Sequence, residues 1–369
     1  MASRRLKPLR IPLDRAALEK ILGNPCRGTV GKAPIQSICR DHRQMPADLF
    51  VAIRGTQHDA NQFIDAAIAV GVHAIVTEMD PPDDLHNGIV WWQVDDARLA
   101  LARLEQAGAG SPGDRLRLFG ITGTNGKSTT VRYLSNILKR AGHNVGWMTT
   151  VENKIGATLE PGRMTTEEPA LIASALARHL DEGGSDFVLE VSSHGIDQNR
   201  IGALSLAGAA ITSLGRDHLD YHETIDQYHA TKQALHNFCR PEAPFVRPMK
   251  TAADSSGSVA LNFEVDGFGE AEADPIESTI TGQRAHIRTP GFEGELRLRQ
   301  LGRHNLSNAL VAVALAGAIG IDQAVIASGI ENTEGVAGRL EAIEAEQGRI
   351  FVDFAHTPDA IDAVIASMR

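Results

Sequence analysis

Cysteine is scarce in this chain. Cys26, Cys39 and Cys239 are the three in 369 residues, they form no C-x-x-C pair, and their number is odd. A disulfide scaffold is excluded, and a reducing cytoplasm is the expected compartment. Positive charge is also short: 36 Lys and Arg stand against 46 Asp and Glu, a net charge of −10. General binding to nucleic acid or to an anionic membrane is therefore not expected. An anionic ligand would need a local site built from backbone N–H groups, a few cations and a metal. No apolar run approaches the roughly 20 residues that span a membrane. The basic start (Arg4, Arg5, Lys7, Arg10) is followed by no apolar signal region. Repeats and long low-complexity tracts are missing too.

What is present is the alternation of an α/β protein. Segments 48–54 (DLFVAIR) and 73–77 (HAIVT) read as strands, and 59–71 between them carries helical spacing in Phe63, Ile64, Ala67 and Ile68. A second helix is expected at 97–107, and GAGSPGD (107–113) reads as a linker. From 114 the pattern repeats as strand, loop, helix: RLRLFGIT, a helix ended by Gly142, the helix ALIASALARHL, the strand DFVLEV, the strand AGAAITSL, the helix DQYHATKQALHNF. Alternation of this kind implies a mostly parallel sheet covered by helices on both faces. Segment 240–300, richer in Gly, Glu and Pro, reads as short strands and turns. NALVAVALAGAIG and DQAVIASGI read as helices, RIFVDF (349–354) as a strand, and PDAIDAVIASM as the start of a helix. The expected organisation is a small N-terminal α/β domain at 1–113 and a central P-loop-type domain at 114–335. Residues 336–369 then give only the first β–α unit of a third, Rossmann-like domain.

GITGTNGKSTT, Gly120 to Thr130, lies between an apolar strand and a helical pattern. Unpaired N–H groups at a helix start, with the helix dipole, favour a phosphate there. Gly123 and Gly126 allow a tight turn, Lys127 can reach outer phosphates, and Ser128, less directly Thr129, can take a Mg²⁺ position. The alternative is a glycine-rich turn with a solvated lysine. The usual P-loop has a glycine six residues before the lysine, and here that position is Ile121.

TGTNGKST resembles the loop of the Mur ligase family. MTTEEP, EVSSHGIDQNRI, RDHLDYHETIDQYHATK, GRHNLSNALVA, GRLE and VDFAHTPDA follow in that family's order, and DLFVAIRG…DANQFIDAAIAVGVHAIVTE looks like its uridine-binding domain. The resemblance runs from about residue 35 to the end and is strongest to the MurE type.

It implies an ATP-dependent ligase adding an amino acid to UDP-N-acetylmuramoyl-L-alanyl-D-glutamate through an acyl phosphate, in peptidoglycan precursor synthesis, with ATP and Mg²⁺ as cofactors. The substrates would be a UDP-muramoyl-dipeptide and a diamino acid, and the protein a cytoplasmic monomer. ATP would meet Gly123, Thr124, Asn125, Gly126, Lys127, Ser128 and Thr129, with Asn308 on the adenine side and Arg339 and Asp353 reaching in from the third domain. Glu190 would hold Mg²⁺ beside Ser128; a strand-end salt bridge is the bland reading of that residue. His218 is assigned to a second Mg²⁺, although magnesium prefers oxygen. His218 and His222 are four apart, and on a helix that spacing suits zinc equally well as it suits a solvated helix start. Lys232 falls at the family's carbamylated lysine, where carbamate would supply an oxygen ligand for the second ion; by itself it reads as a surface lysine. Lys127, His218 and Lys232 would be the catalytic set. Asp41, Arg43, Thr165, Thr166, Ser192, Gln198 and Arg200 match positions that hold the UDP substrate, although Thr165 and Thr166 also read as a helix cap and Asn308 as an N-cap.

Five departures stand out. The family's D-S-R reads Asp41-His42-Arg43, and its D-G-H reads Asp59-Ala60-Asn61. Ser213 replaces an asparagine near the nucleotide, and N-A-D-D has only KTAAD (250–254) as its nearest match. The sequence also ends at Arg369 without D-N-P-R, the motif that grips the incoming amino acid. The resemblance therefore implies a chain truncated in its third domain, with a non-catalytic nucleotide- or UDP-sugar-binding remnant as the second reading.

Overall fold

The computed structural model describes residues 8–29, 31–55, 58–85, 88–249, 261–279, 281–345, 348–355 and 358–367. Its contacts divide it into two units. The first takes the described residues up to Gly113 together with Glu168–Ala177 and Gln198–Ala203; the second takes Asp114–Glu167, Arg178–Asp197 and everything from Leu204 onward.

The first unit is built on a four-stranded parallel sheet, Ile38–Cys39, Leu49–Val51, Ala74–Thr77 and Val90–Gln93, in sequence order. Its strands are apolar on both sides because both faces are covered. Leu49, Val51, Ala74, Val76 and Trp92 point to one cluster with Leu101 and Leu104 of the helix Ala97–Gly108. Phe50, Ile75 and Trp91 point to the other, with Ile64 and Ala67. Each indole N–H is satisfied, Trp91 by Met79 O and Trp92 by Gly23 O, both at 3.0 Å. The stretch expected as a linker at 107–113 is packed instead: Gly108, Pro112 and Gly113 are buried.

The second unit carries an eleven-stranded sheet. Its centre is parallel, in the spatial order Phe245–Pro248, Leu206–Ile211, Arg117–Thr122, Asp186–Glu190, Val145–Met148. The chain leaves Arg117–Thr122 toward one side and later returns to pair Leu206–Ile211 on the other. The crevice at the carboxyl ends of such strands is where open α/β sheets take ligands. The hairpin Glu152–Ile155 with Thr158–Pro161 extends one edge antiparallel.

The other edge differs from the expected short strands and turns. Asn262–Val265, Gly269–Thr279, Gly282–Thr289 and Phe292–Leu298 form a continuous antiparallel meander. Ala271, Ala273, Ala285, Ile287, Leu296 and Leu298 are buried in one core with the helix Arg303–Ala318. The Glu residues that contributed to that reading occupy the solvated face, where they pair with arginines, Glu277 and Glu295 with Arg284 and Glu272 with Arg288. The expected strand at 349–354 is Gly348–Val352, and it pairs antiparallel with Glu341–Ala345, a partner not foreseen. A helix, Pro358–Ser367, follows. No helix among the described residues is long and apolar enough to cross a membrane.

One buried histidine ties this second sheet together. His179 is fully buried; its Nδ1 accepts the Gly156 N–H at 3.1 Å and its Nε2 lies 3.0 Å from Asp186 O. That arrangement fixes the neutral tautomer protonated on Nε2. Burial pulls its pKa down, against carbonyls of Asp186 and Asn144 that raise it. The unfolded chain therefore binds the extra proton first, and folding stability falls as pH drops below about 6.5. Urea unfolding of wild type and His179→Asn between pH 5 and 8 checks this: the wild type loses stability toward pH 5, and the variant, less stable throughout, shows a smaller slope.

Candidate active site

The loop after Arg117–Thr122 is shaped by what surrounds it. Ile121 is wholly buried in the sheet core, which is why an apolar residue stands where another P-loop has glycine. Gly123 has φ 148° and Gly126 φ 88°. A Cβ at Gly123 would meet Thr212 Oγ1, and one at Gly126 would meet Asn308 Oδ1. No side chain caps the N-terminus of the helix Lys127–Arg140, which leaves its donors to a ligand. The far wall of the loop comes from the end of Leu206–Ile211: Asn125 N–H donates to Ser213 Oγ at 2.9 Å, Thr124 N–H to Ser213 O at 3.0 Å, and Thr212 Oγ1 to Asn125 O at 2.5 Å. Lys127 Nζ bends back to Gly123 O and Thr124 O, 3.0 Å each. Burial pulls its pKa down, Glu190 and Asp217 push it up, and Arg339 lowers it further. Gly126→Ala is expected to weaken ATP binding at least 10-fold, because the left-handed backbone alone costs an alanine about 1–2 kcal/mol and Asn308 must also move. Isothermal titration with ATP reads this, with a circular dichroism spectrum to show the fold is kept.

Glu190 ends the buried strand Asp186–Glu190 and is the centre of a hydroxyl cluster. Its Oε2 accepts from Ser128 Oγ at 2.8 Å and from Thr150 N–H at 3.0 Å, while Thr150 Oγ1 lies 3.0 Å from Oε1. Thr165 Oγ1 is 3.1 Å from Thr150 Oγ1. Thr166 Oγ1 donates to Glu190 O at 3.2 Å and accepts Ser192 N–H at 2.8 Å. Glu190 is thus no strand-end salt bridge.

Lys232 is 1% exposed on the helix Ile225–Gln233, so it is not a surface lysine. Burial holds its pKa well below the ordinary lysine value; Lys127 lowers it further and Asp217 opposes. Its Nζ lies 4.2 Å from the centroid of the Tyr228 ring. Burial pushes the Tyr228 phenol up to about 12, and its O–H donates to Thr124 Oγ1 at 3.3 Å. His218 precedes the helix Leu219–His222 with φ 51°, and its ring and that of His222 both lie against His194 and Tyr228. Among the described residues no third ligand joins them, so the zinc alternative gains no support. His218 is half exposed beside Asp217 and packs on the His194 ring, with centroids 4.9 Å apart; His222 is buried.

Asn308 is the sixth residue of Arg303–Ala318, which removes the N-cap reading; its amide covers Gly126. Arg339 lies over the Phe354 ring. Asp353 accepts Leu340 N–H at 2.6 Å and Ala355 N–H at 2.7 Å, and so shapes the turn between them. His356 and KTAAD lie outside the described residues.

Among the residues matched to UDP binding, Thr165, Thr166 and Ser192 belong to the second unit, in the hydroxyl cluster above; Asp41, Arg43, Gln198 and Arg200 belong to the first. There Arg200 Nη2 donates to Gln198 Oε1 at 2.9 Å and stands 3.6 Å from Glu168, which also holds Arg40 at 3.1 Å. Asp41 caps a short 3-10 turn and grips Arg43 through two oxygens, a bond that draws the Asp41 carboxyl below its ordinary value. His42 stacks on Phe63, and Asn61 bonds Asp59 and Thr77.

Comparison with known proteins places this geometry. Residues 121–316 match the model of the Mur ligase middle domain. UDP-N-acetylmuramoyl-L-alanyl-D-glutamate–2,6-diaminopimelate ligase of Geobacter sulfurreducens is 34% identical over 349 residues, 90% of this chain and 68% of that protein. This chain belongs to the Mur ligase family. The same-named ligase of Parabacteroides distasonis is 35% identical over 344 residues, 90% of this chain and 68% of its own length. A solved structure of a ligase of that name superposes with a TM-score of 0.74 over 97% of this chain and 74% of its own, at 21% identity, and so speaks for the fold. Mur ligases of this kind are ATP-dependent enzymes that form C–N bonds. Three side chains that hold the site of this Mur ligase were missed in the sequence: Thr150, Thr212 and Tyr228. Thr150 and Thr212 stand at strand ends with no motif of their own. The spacing of Tyr228 and Lys232, four apart on one helix, was the one signal available. Among the described residues no three His, Cys, Asp or Glu side chains gather to hold a metal. The oxygens of Ser128 and Glu190 nonetheless suit magnesium, which takes one or two carboxylates and completes its shell with water and phosphate.

Proposed function

We propose that this Mur ligase joins 2,6-diaminopimelate to UDP-N-acetylmuramoyl-L-alanyl-D-glutamate with ATP and Mg²⁺. The diamino acid and the UDP-dipeptide are those named by its relatives at 34% and 35% identity. The observation that carries the reading is the junction of Ser128 and Glu190, 2.8 Å apart, beside a phosphate loop that Tyr228 links to Lys232.

Two anions, a carboxylate and a triphosphate, must meet here. Gly123, Thr124, Asn125, Gly126, Lys127, Ser128 and Thr129 cradle the phosphates, and Lys127 exchanges its two loop carbonyls for phosphate oxygens. Ser128 and Glu190 would hold one Mg²⁺; His218 and a carbamylated Lys232 would hold a second. When bound, the ions offset charge on the transferring phosphoryl group. Carbamylation needs the neutral amine, and the burial of Lys232, which pulls its pKa well down, favours that form. Asn308, Arg339 and Asp353 would serve the nucleotide. Thr165, Thr166 and Ser192 in one unit, and Asp41, Arg43, Gln198 and Arg200 in the other, would serve the UDP substrate through hydroxyl and guanidinium bonds.

The test is mass spectrometry of reactions containing ATP, Mg²⁺, the UDP-dipeptide and either diaminopimelate or lysine. The expected outcome is a UDP-tripeptide with diaminopimelate, matched by ADP and phosphate and abolished by EDTA. Preferred incorporation of lysine, or ATP consumption without product, would contradict it.

A further inference from the structure

We infer that Tyr228 is a positioning residue that couples the phosphate loop to Lys232, an inference that rests on the roles just proposed for both. Tyr228 is 1% exposed and its two ends do different things. The hydroxyl donates to Thr124 Oγ1 at 3.3 Å, and that same oxygen accepts Gly215 N–H at 2.9 Å. Thr124 is thereby held from outside the loop by two donors. The ring lies under Lys232 Nζ, 4.2 Å from its centroid, because residues four apart on Ile225–Gln233 stack. Among the described residues no hydrogen bond reaches that nitrogen, so the ring is the contact that fixes the end of the side chain. His222 flanks the ring at 5.3 Å and limits its movement. Tyr228 therefore sets where Lys232 stands relative to the phosphates, while touching neither phosphate nor acceptor.

The two ends are separable. Tyr228→Phe keeps the ring and deletes the bond to Thr124. ATP affinity measured by titration falls about 3- to 10-fold, the worth of one neutral hydrogen bond, and kcat at saturating ATP falls less. Thr124→Ala combined with Tyr228→Phe binds no more weakly than Thr124→Ala alone, since both remove the same bond. Tyr228→Leu deletes the ring as well, and kcat at saturating ATP falls by a further factor of up to about 100, the cost of misplacing a group at a reacting centre. NMR of the lysine ε-methylene group supplies a readout independent of activity. In the nucleotide-free enzyme the Lys232 signal is shifted upfield by the ring current, keeps that shift in Tyr228→Phe and loses it in Tyr228→Leu. A Tyr228→Phe enzyme that binds ATP like wild type, multiplicative effects of Thr124→Ala and Tyr228→Phe, or an unshifted Lys232 signal in wild type would each overturn the inference. Wild type that fails to bind ATP would instead remove the proposed function and leave the NMR result to decide on the ring. A Tyr228→Leu protein that does not fold, seen by circular dichroism, leaves the decision to Tyr228→Phe and the wild-type spectrum.

Discussion

Lys127→Ala lowers ATP affinity by about 100-fold and leaves the fold standing. Hydrogen bonds to a charged donor contribute about 1.5–3 kcal/mol each, and the upper figure corresponds to that factor. The side chain is not part of the core: its ammonium rests on two carbonyls of its own loop, Gly123 O and Thr124 O, at 3.0 Å. Removing it takes one donor from two carbonyls of buried residues but no contact from the hydrophobic core, so the far-ultraviolet spectrum is kept and the melting temperature falls by only a few degrees. Titration with ATP and a thermal melt check both halves. Unchanged affinity would mean that the loop does not take phosphate.

Lys232→Ala costs about 100- to 1,000-fold in kcat, the range seen when one preorganised electrostatic group is removed from a reacting centre. ATP affinity falls far less, because Lys127 and the loop donors remain. The deleted side chain leaves a small space in a buried position, and a small anion can enter it. Formate, acetate or high chloride therefore restores part of the lost rate, whereas the same salts do nothing for wild type beyond their ionic strength. Steady-state kinetics with and without the added anion measure this. Full activity of Lys232→Ala without any anion would return Lys232 to an ordinary buried lysine.

The sequence exposed the phosphate end of this site well because that end is built from local rules. Gly126-Lys127-Ser128 after a strand and before a helix has a mechanism at every position, and the structure supplies the neighbours that demand it: Thr212 against Gly123 and Asn308 against Gly126. The parallel strands were legible as apolar runs for the same reason; both faces are covered. The meander at 262–298 was not, because its polar face is rich in Glu and Arg and because Ala271, Ala273 and Ala285 weaken the apolar half of its alternation. Lys232 shows the other limit. On a helix that buries only Tyr228 and Lys232, periodicity predicts a solvated lysine, and the burial comes from tertiary packing that no local pattern encodes. Thr150 joins Glu190 across 40 residues of chain, and Thr212 joins Asn125 across 87. Such contacts follow from strand order, which the sequence pattern left open.

The central claim is that the loop delivers a phosphoryl group to a carboxylate and not to water. The most direct measurement uses the UDP-dipeptide labelled with ¹⁸O at every oxygen of both free glutamyl carboxylates, together with ATP, Mg²⁺ and diaminopimelate. The prediction is one ¹⁸O atom in each inorganic phosphate released, carried over when the amine displaces phosphate from the activated carboxyl. Phosphate without label, formed at the same rate whether or not the UDP-dipeptide is present, would contradict the account and favour a nucleotide-binding remnant of the ligase.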